Sequence, residues 1–196
     1  DISKEYPEKT IDLQEIAEVE YIPLETTEKS VAMIHANPHI SEKYIINCDL
    51  GGPVHFYDRQ GKHLYALHAN GQGPQEYYGI VAFTVDFPKE EFYIYDLRKL
   101  QVYSFAGEWK RTLKVPEGMR YENLFNYDEH HLICENAFHD WWNFENLPID
   151  KTPYYLINKE TGTLTPLPII VKNRISKTME KRIEHIDAQR ARRHFE

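Results

Sequence analysis

Apolar and polar residues alternate in short runs along most of the chain, and the runs are separated by turn residues. Val19-Glu20-Tyr21-Ile22-Pro23-Leu24 alternates before the polar Glu25-Thr26-Thr27-Glu28. Tyr44-Ile45-Ile46 follows a Ser41-Glu42-Lys43 turn, and Val54-His55-Phe56-Tyr57 runs through Asp58-Arg59-Gln60-Gly61 into His63-Leu64-Tyr65-Ala66-Leu67. A two-residue period bounded by Asp, Asn and Gly predicts strands joined by tight turns. The same order returns at Phe92–Asp96, Leu100–Phe105, Ala106-Gly107-Glu108 and Trp109–Leu113. It returns again, more loosely, at His131–Cys134, Tyr154–Ile157, Asn158–Gly162 and Thr163-Leu164.

Gly61, Gly107 and Gly162 therefore fall at matching hairpins, with the longer second interval located in a Trp-rich segment around 136–152. A recurrence of about 40–50 residues built from strands and turns predicts four-stranded blades, because one such sheet cannot bury both faces without neighbours. The expected fold class is all-β: β-propeller blades of antiparallel strands over residues 17–171, of a partial or shortened six-bladed type. A β-sandwich of irregular hairpins is the competing architecture. Val19–Leu24 is expected to be a strand that closes a ring. Residues 1–16 read as an N-terminal extension.

The period changes after Lys172. Ile175, Met179, Ile183 and Ile186 recur at helical spacing, so residues 172–196 are expected to form a basic helical tail. Eight Lys and Arg against four acids leave that tail at +4, so residues 1–171 carry −12 of the net −8. A helix with so narrow an apolar stripe needs a contact, either on the acidic body or on a neighbouring copy.

Composition narrows the function classes. Fourteen Tyr, 9 Phe and 3 Trp beside 9 Gly favour strands, and a net charge of −8 argues against nucleic acid as a partner. Cys48 and Cys134 form no metal-type pair, which leaves a disulfide or two buried thiols. His35 and His39 are four apart but flank Pro38, and His130-His131 would face opposite sides of a strand, so no metal site and no cofactor are expected. Neither GxSxG nor a P-loop lysine occurs.

Two segments are candidate sites. In Gly71-Gln72-Gly73-Pro74-Gln75-Glu76-Tyr77, Gly71 and Gly73 suit positive φ and Pro74 fixes a turn. Glu76 can accept backbone N–H bonds and Tyr77 can pack, so this reads as a structural loop. In the second segment, His139, Asp140, Trp141, Trp142 and Asn143 combine flat rings with convergent hydrogen-bonding groups, which is what sugar stacking needs. Capping of the core by the two tryptophans is the plainer alternative.

The hairpin Phe56–Lys62, the loop Gly71–Tyr77 and the opening Ile22-Pro23-Leu24-Glu25-Thr26-Thr27 together resemble a secreted, NHL-like six-bladed β-propeller family common in Bacteroidota. Its members show an F-D-x-x-G-K hairpin, a G-x-G-P-x-E-Y loop and a strand ending near an aspartate, here Asp86 or Asp96. The match covers about residues 17–115; Gln75 stands where Gly is usual, and His68-Ala69-Asn70 replaces the usual lead into the loop. The resemblance implies an exported, lipoprotein-type module in the periplasm or at the outer membrane. Its expected role is non-enzymatic binding of a glycan, peptide or envelope protein on one propeller face. A lyase or hydrolase acting on carbohydrate at the axial funnel is the alternative. At about 40 residues per blade, residues 17–171 supply three or four blades, so self-association through an open sheet edge or the basic tail is also expected.

Overall fold

The computed structural model describes residue 7 and residues 10–27, 38–48, 52–136 and 152–169. Over these the chain is all-β: twelve strands in three four-stranded antiparallel sheets, each a consecutive meander. The first sheet holds β1 (His39–Ile40), β2 (Tyr44–Cys48), β3 (Val54–Asp58) and β4 (His63–Leu67). The second holds β5 (Ala82–Asp86), β6 (Glu91–Tyr95), β7 (Lys99–Ser104) and β8 (Trp109–Lys114). The third holds β9 (Tyr121–Asn126), β10 (His131–Asn136), β11 (Tyr154–Asn158) and β12 (Leu164–Pro166).

The sheets are blade-like, and Gly61, Gly107 and Gly162 all occupy the hairpin between the third and fourth strands of their sheet. Their φ values are 83°, 82° and 73°, a left-handed conformation that side chains resist. Pairs in register, such as Ile46 with Phe56 and Tyr93 with Val102, place alternate residues on opposite faces. In β6 that alternation separates two cores. Phe92 and Ile94 join Ile46, Val54, Phe56 and Tyr103 between the first and second sheets. Tyr93 and Tyr95 join Leu100, Val102, Leu132 and Ile157 between the second and third. Stacking of Phe56 on Tyr65 at 4.4 Å and of Phe92 on Tyr103 at 5.4 Å shows how aromatic side chains fill the first of these layers.

One expectation changes here. Val19–Leu24 is not a strand, and it joins no sheet. It crosses the first sheet's outer hairpin instead. The Glu25 N–H donates to Gly61 O at 2.7 Å, the Glu20 carboxylate lies 3.3 Å from Arg59, and the His63 N–H donates to Glu25 Oε2. Residues 10–16 carry one short 3-10 turn, Leu13–Glu15. Of the two alternatives for Cys48 and Cys134, buried thiols hold: they lie in different cores and do not form a disulfide. The expected tail helix over residues 172–196 lies outside the described residues.

Candidate functional site

The longest described connection, residues 68–81, joins the first sheet to the second. It closes on itself through a parallel bridge between Asn70 and Tyr77, with the Gly71 N–H on Tyr77 O and the Tyr77 N–H on Ala69 O. The Glu76 carboxylate accepts the Gly73 N–H at 2.8 Å. A β-carbon built on Gly71 would lie 2.0 Å from Glu76 Oε2. A side chain at Gly71 would therefore displace that carboxylate from its bond to the Gly73 N–H. Neither Gly71 nor Gly73 is among the glycines with positive φ, which corrects the expectation for both. Tyr77 is fully buried; its hydroxyl donates to Gly52 O, and burial pushes its pKa up to about 12.

Three side chains on one face of β7 hold this loop from below, at i, i+2 and i+4. Lys99 Nζ donates to the carbonyls of Gly73 and Pro74, Gln101 Nε2 to those of Pro74 and Glu76, and the Tyr103 hydroxyl to that of Gln75 at 2.6 Å. Gln101 is fully buried, and its Oε1 accepts from Trp109 Nε1 and Thr112 Oγ1. Every donor and acceptor of that amide has a partner, so the loop and β8 are fixed by one side chain. Sequence reasoning placed Gln101 and Tyr103, but not Lys99, on a strand and assigned none of them a task; their signal is the polar parity of Lys99, Gln101 and Tyr103 against Leu100 and Val102.

The adjacent β6–β7 turn is fastened by Asp96, which is 4% exposed. Its carboxylate accepts the N–H groups of Arg98, Lys99 and Tyr78. Above this clasp the Tyr78 ring is exposed, and the Arg98 guanidinium carbon lies 5.5 Å from the ring centroid.

At the other end of the second sheet, ionisable groups are buried and paired. Lys159 bonds Asp86 and the Asp128 carbonyl. Arg111 makes two 2.9 Å bonds to Glu91, a third to Lys159 O, and approaches the Tyr93 hydroxyl, which itself donates to Glu91. Burial raises the Glu91 pKa, yet the hydrogen bonds and charge of Arg111 outweigh it and hold the carboxyl below its ordinary range. The same partner raises Arg111. Asp86 thus serves as a pin between sheets, and Asp96 as the clasp beside the loop.

A groove of about 300 Å³ lies at this hairpin end, floored by Tyr44, Phe87 and Phe105 and rimmed by Glu42, Lys43 and Glu90. Of the histidines considered for metal, His131 Nδ1 lies 3.0 Å from Asp128 in the β9–β10 turn, and burial lowers the pKa of His39 against Phe83. Among the described residues no three His, Cys, Asp or Glu side chains converge as a metal site would need.

The ion pair of Asp86 with Lys159, and the bond from Arg111 Nε to Lys159 O, bring the hairpin ends of the second and third sheets together. The turns at the opposite end of each meander therefore share the other end of the molecule. There the β8–β9 link meets β10 through the Arg120 N–H on Asn136 Oδ1, and the Asn136 N–H donates to Pro153 O. The family described as domain of unknown function DUF4934 matches residues 1–183 of this sequence. The chain belongs to the DUF4934 family.

Solved structures similar to this DUF4934 chain include a protein of Bacteroides fragilis NCTC 9343 named for predicted export. It matches with a TM-score of 0.62 at 13% identity, over 84% of this chain and 47% of that one. A DUF4221 family member from Bacteroides vulgatus ATCC 8482 matches with a TM-score of 0.55 at 11% identity, over 76% of this chain and 46% of that one. The chain spans about half the length of each, and at these identities the likeness shows the fold. No curated protein matches the sequence. Of the sequence-predicted site, Gly71, Gly73, Pro74, Glu76 and Tyr77 come together in the clamped loop of this DUF4934 domain. His139, Asp140, Trp141, Trp142 and Asn143 lie outside the described residues, between the ends of β10 and β11.

Proposed function

We propose that this chain is a binding module of an exported cell-envelope protein, taking up a glycan, peptide or partner protein on one end of its sheets. The observation that carries the reading is the clamped loop. Lys99, Gln101 and Tyr103 hold the backbone of residues 73–76 rigid at the end of the molecule where Tyr78 and Arg98 are exposed. β10 ends and β11 begins at that end as well, and the sequence between them carries Trp141 and Trp142. A rigid platform beside aromatic side chains reduces the ordering that binding must impose. The acids and bases of the second-to-third seam are paired with one another, an arrangement that suits holding sheets together more than moving protons. Export rests on the name of the Bacteroides fragilis relative.

In this reading the three sheets are successive blades of a β-propeller. The equivalent hairpin glycines support it, as does the side-by-side packing of β5 and β9, the first strands of neighbouring sheets. A span of about half of each solved relative is what three blades of six would give.

A glycan array probed with the wild-type chain and with Trp141→Ala tests the function. Binding by the wild type that the variant loses supports it. Retention by the variant removes the tryptophan platform from the reading, and cleavage of an arrayed oligosaccharide in solution replaces binding with a lyase or hydrolase.

A further inference from the structure

The tight β6–β7 hairpin, closed by the Asp96 N–H on Lys99 O, calls for a positive φ at its first loop position, but the residue there is a leucine where glycine would cost less. Leu97 has φ 74°, in the region where four described turn glycines sit and where a branched side chain meets its own backbone. Burial does not offset this strain, because Leu97 is 50% exposed. The turn is nevertheless held: the Asp96 carboxylate takes the N–H groups of Arg98 and Lys99 and that of Tyr78 from the neighbouring loop, and the Tyr95 hydroxyl donates to Leu97 O. Strain retained in a firmly held, exposed turn points to a use for the side chain that it presents.

Beside Leu97 stand Tyr78, 65% exposed, and Arg98, whose guanidinium lies over the Tyr78 ring. The neighbouring Lys99 is different, since its ammonium is committed to the Gly73 and Pro74 carbonyls. Arg98 has no ion-pair partner among the described residues. The contact with the Tyr78 ring favours one placement of the guanidinium before any partner arrives, which lowers the side-chain freedom to be lost on binding.

We propose that Leu97, Arg98 and Tyr78 form a docking knuckle for a protein partner that offers an apolar pocket beside a carboxylate. This rests on the binding-module reading and names the partner class for one part of that surface. Leucine supplies the anchor, arginine a two-pronged hydrogen bond to the carboxylate, and tyrosine the supporting wall; Tyr and Arg are also the types that dominate binding energy at protein interfaces. A sugar fits less well. Arg98 covers one face of the Tyr78 ring, and a leucine held out by backbone strain has no part in stacking on a pyranose.

The test is a random peptide phage library panned on the wild-type chain and counter-selected on the Leu97→Gly, Arg98→Ala double variant. Enriched sequences are then synthesised with a fluorophore and titrated by anisotropy. The expected peptides pair a bulky apolar residue with Asp or Glu. Leu97→Gly and Arg98→Ala should each weaken them about tenfold or more, and Arg98→Lys should not restore affinity because it lacks the fork. Leu97→Gly should leave the melting temperature unchanged or raise it, which separates lost recognition from lost folding. Peptides that bind the single variants as they bind the wild type, or enrichment without an acidic and apolar pattern, overturn the proposal. Arg98-dependent binding of a uronic-acid oligosaccharide, with no peptide response, also overturns it while leaving the binding-module reading intact.

Discussion

Asp86 and Lys159 stand 73 positions apart in sequence and meet at 2.5 Å across the seam of the second and third sheets, with side chains 3% and 0% exposed. A buried ammonium that loses its carboxylate keeps a charge with nothing to balance it. Asp86→Leu and Lys159→Met are each expected to destabilise the chain by about 3–5 kcal/mol. The double replacement should recover much of that loss, because both charges leave together. Urea denaturation of the three variants measures this; a double variant as unstable as the two losses added would show that the pair is not coupled.

The Glu91–Arg111 pair gives the seam an acid limit. The Glu91 pKa is lowered in the folded chain, so its contribution is fully present above the ordinary glutamate value and is lost as pH falls through the folded value. Denaturation midpoints are expected to fall on acidification from about pH 5 toward pH 3. Arg111→Met should flatten that slope while lowering stability at neutral pH. An unchanged slope in the variant would assign the acid sensitivity to other carboxylates.

The three hairpin glycines offer an internal comparison. At Gly107 an added β-carbon meets only Leu67 Cδ1 at 3.5 Å, so Gly107→Ala is expected to cost about 1–2 kcal/mol for the left-handed backbone alone. At Gly61 the same carbon would lie 2.0 Å from Pro23 O. Gly61→Ala should therefore cost more, and should release residues 20–25 from the hairpin. Limited proteolysis within that segment, faster in Gly61→Ala than in Gly107→Ala, checks the second effect.

Cys134 is buried between the second and third sheets, and burial drives its thiol up to about 12. It is expected to resist iodoacetamide at pH 8 in the native chain, and to react with Cys48 only once denaturant opens both cores. Mass spectrometry of the labelled protein follows each thiol. Rapid native labelling of Cys134 would mean that the seam opens far more readily than its packing implies.

Much of the blade rhythm was legible because the second, third and fourth strands of each sheet are short apolar and aromatic runs cut off by hairpin turn residues. The first strands did not show themselves. β1 is only two residues long, and β5 (Ala82–Asp86) is entered from a long connection, so no hairpin turn marks where it begins. In β9 the buried Tyr121 and Leu124 are three apart, and the ladder to β10 shifts register between Glu135 and Asn136, which erases a two-residue period. Val19–Leu24 failed in the opposite direction. It alternates as a strand would, but its partner is a turn around Gly61, with which no ladder can form.

The candidate site was legible in part for the same kind of reason. Glu76 and Tyr77 stand out locally because a Gly-Pro loop has few other groups able to hold it. Gln101 does not, since its four partners come from residues 74, 76, 109 and 112. Contacts of that range leave no periodic trace. The strained Leu97 was equally hidden: a leucine between an aspartate and an arginine reads as ordinary until its φ is known.

β6 has a consequence for how this sequence can drift. All five of its residues are buried, and each parity answers to a different core. An ordinary surface strand can vary freely on its wet side; this one has no such side. A change of shape at Phe92 must be answered in the first sheet and one at Tyr93 in the third, so the middle strand ties together the histories of two layers that do not otherwise share a core.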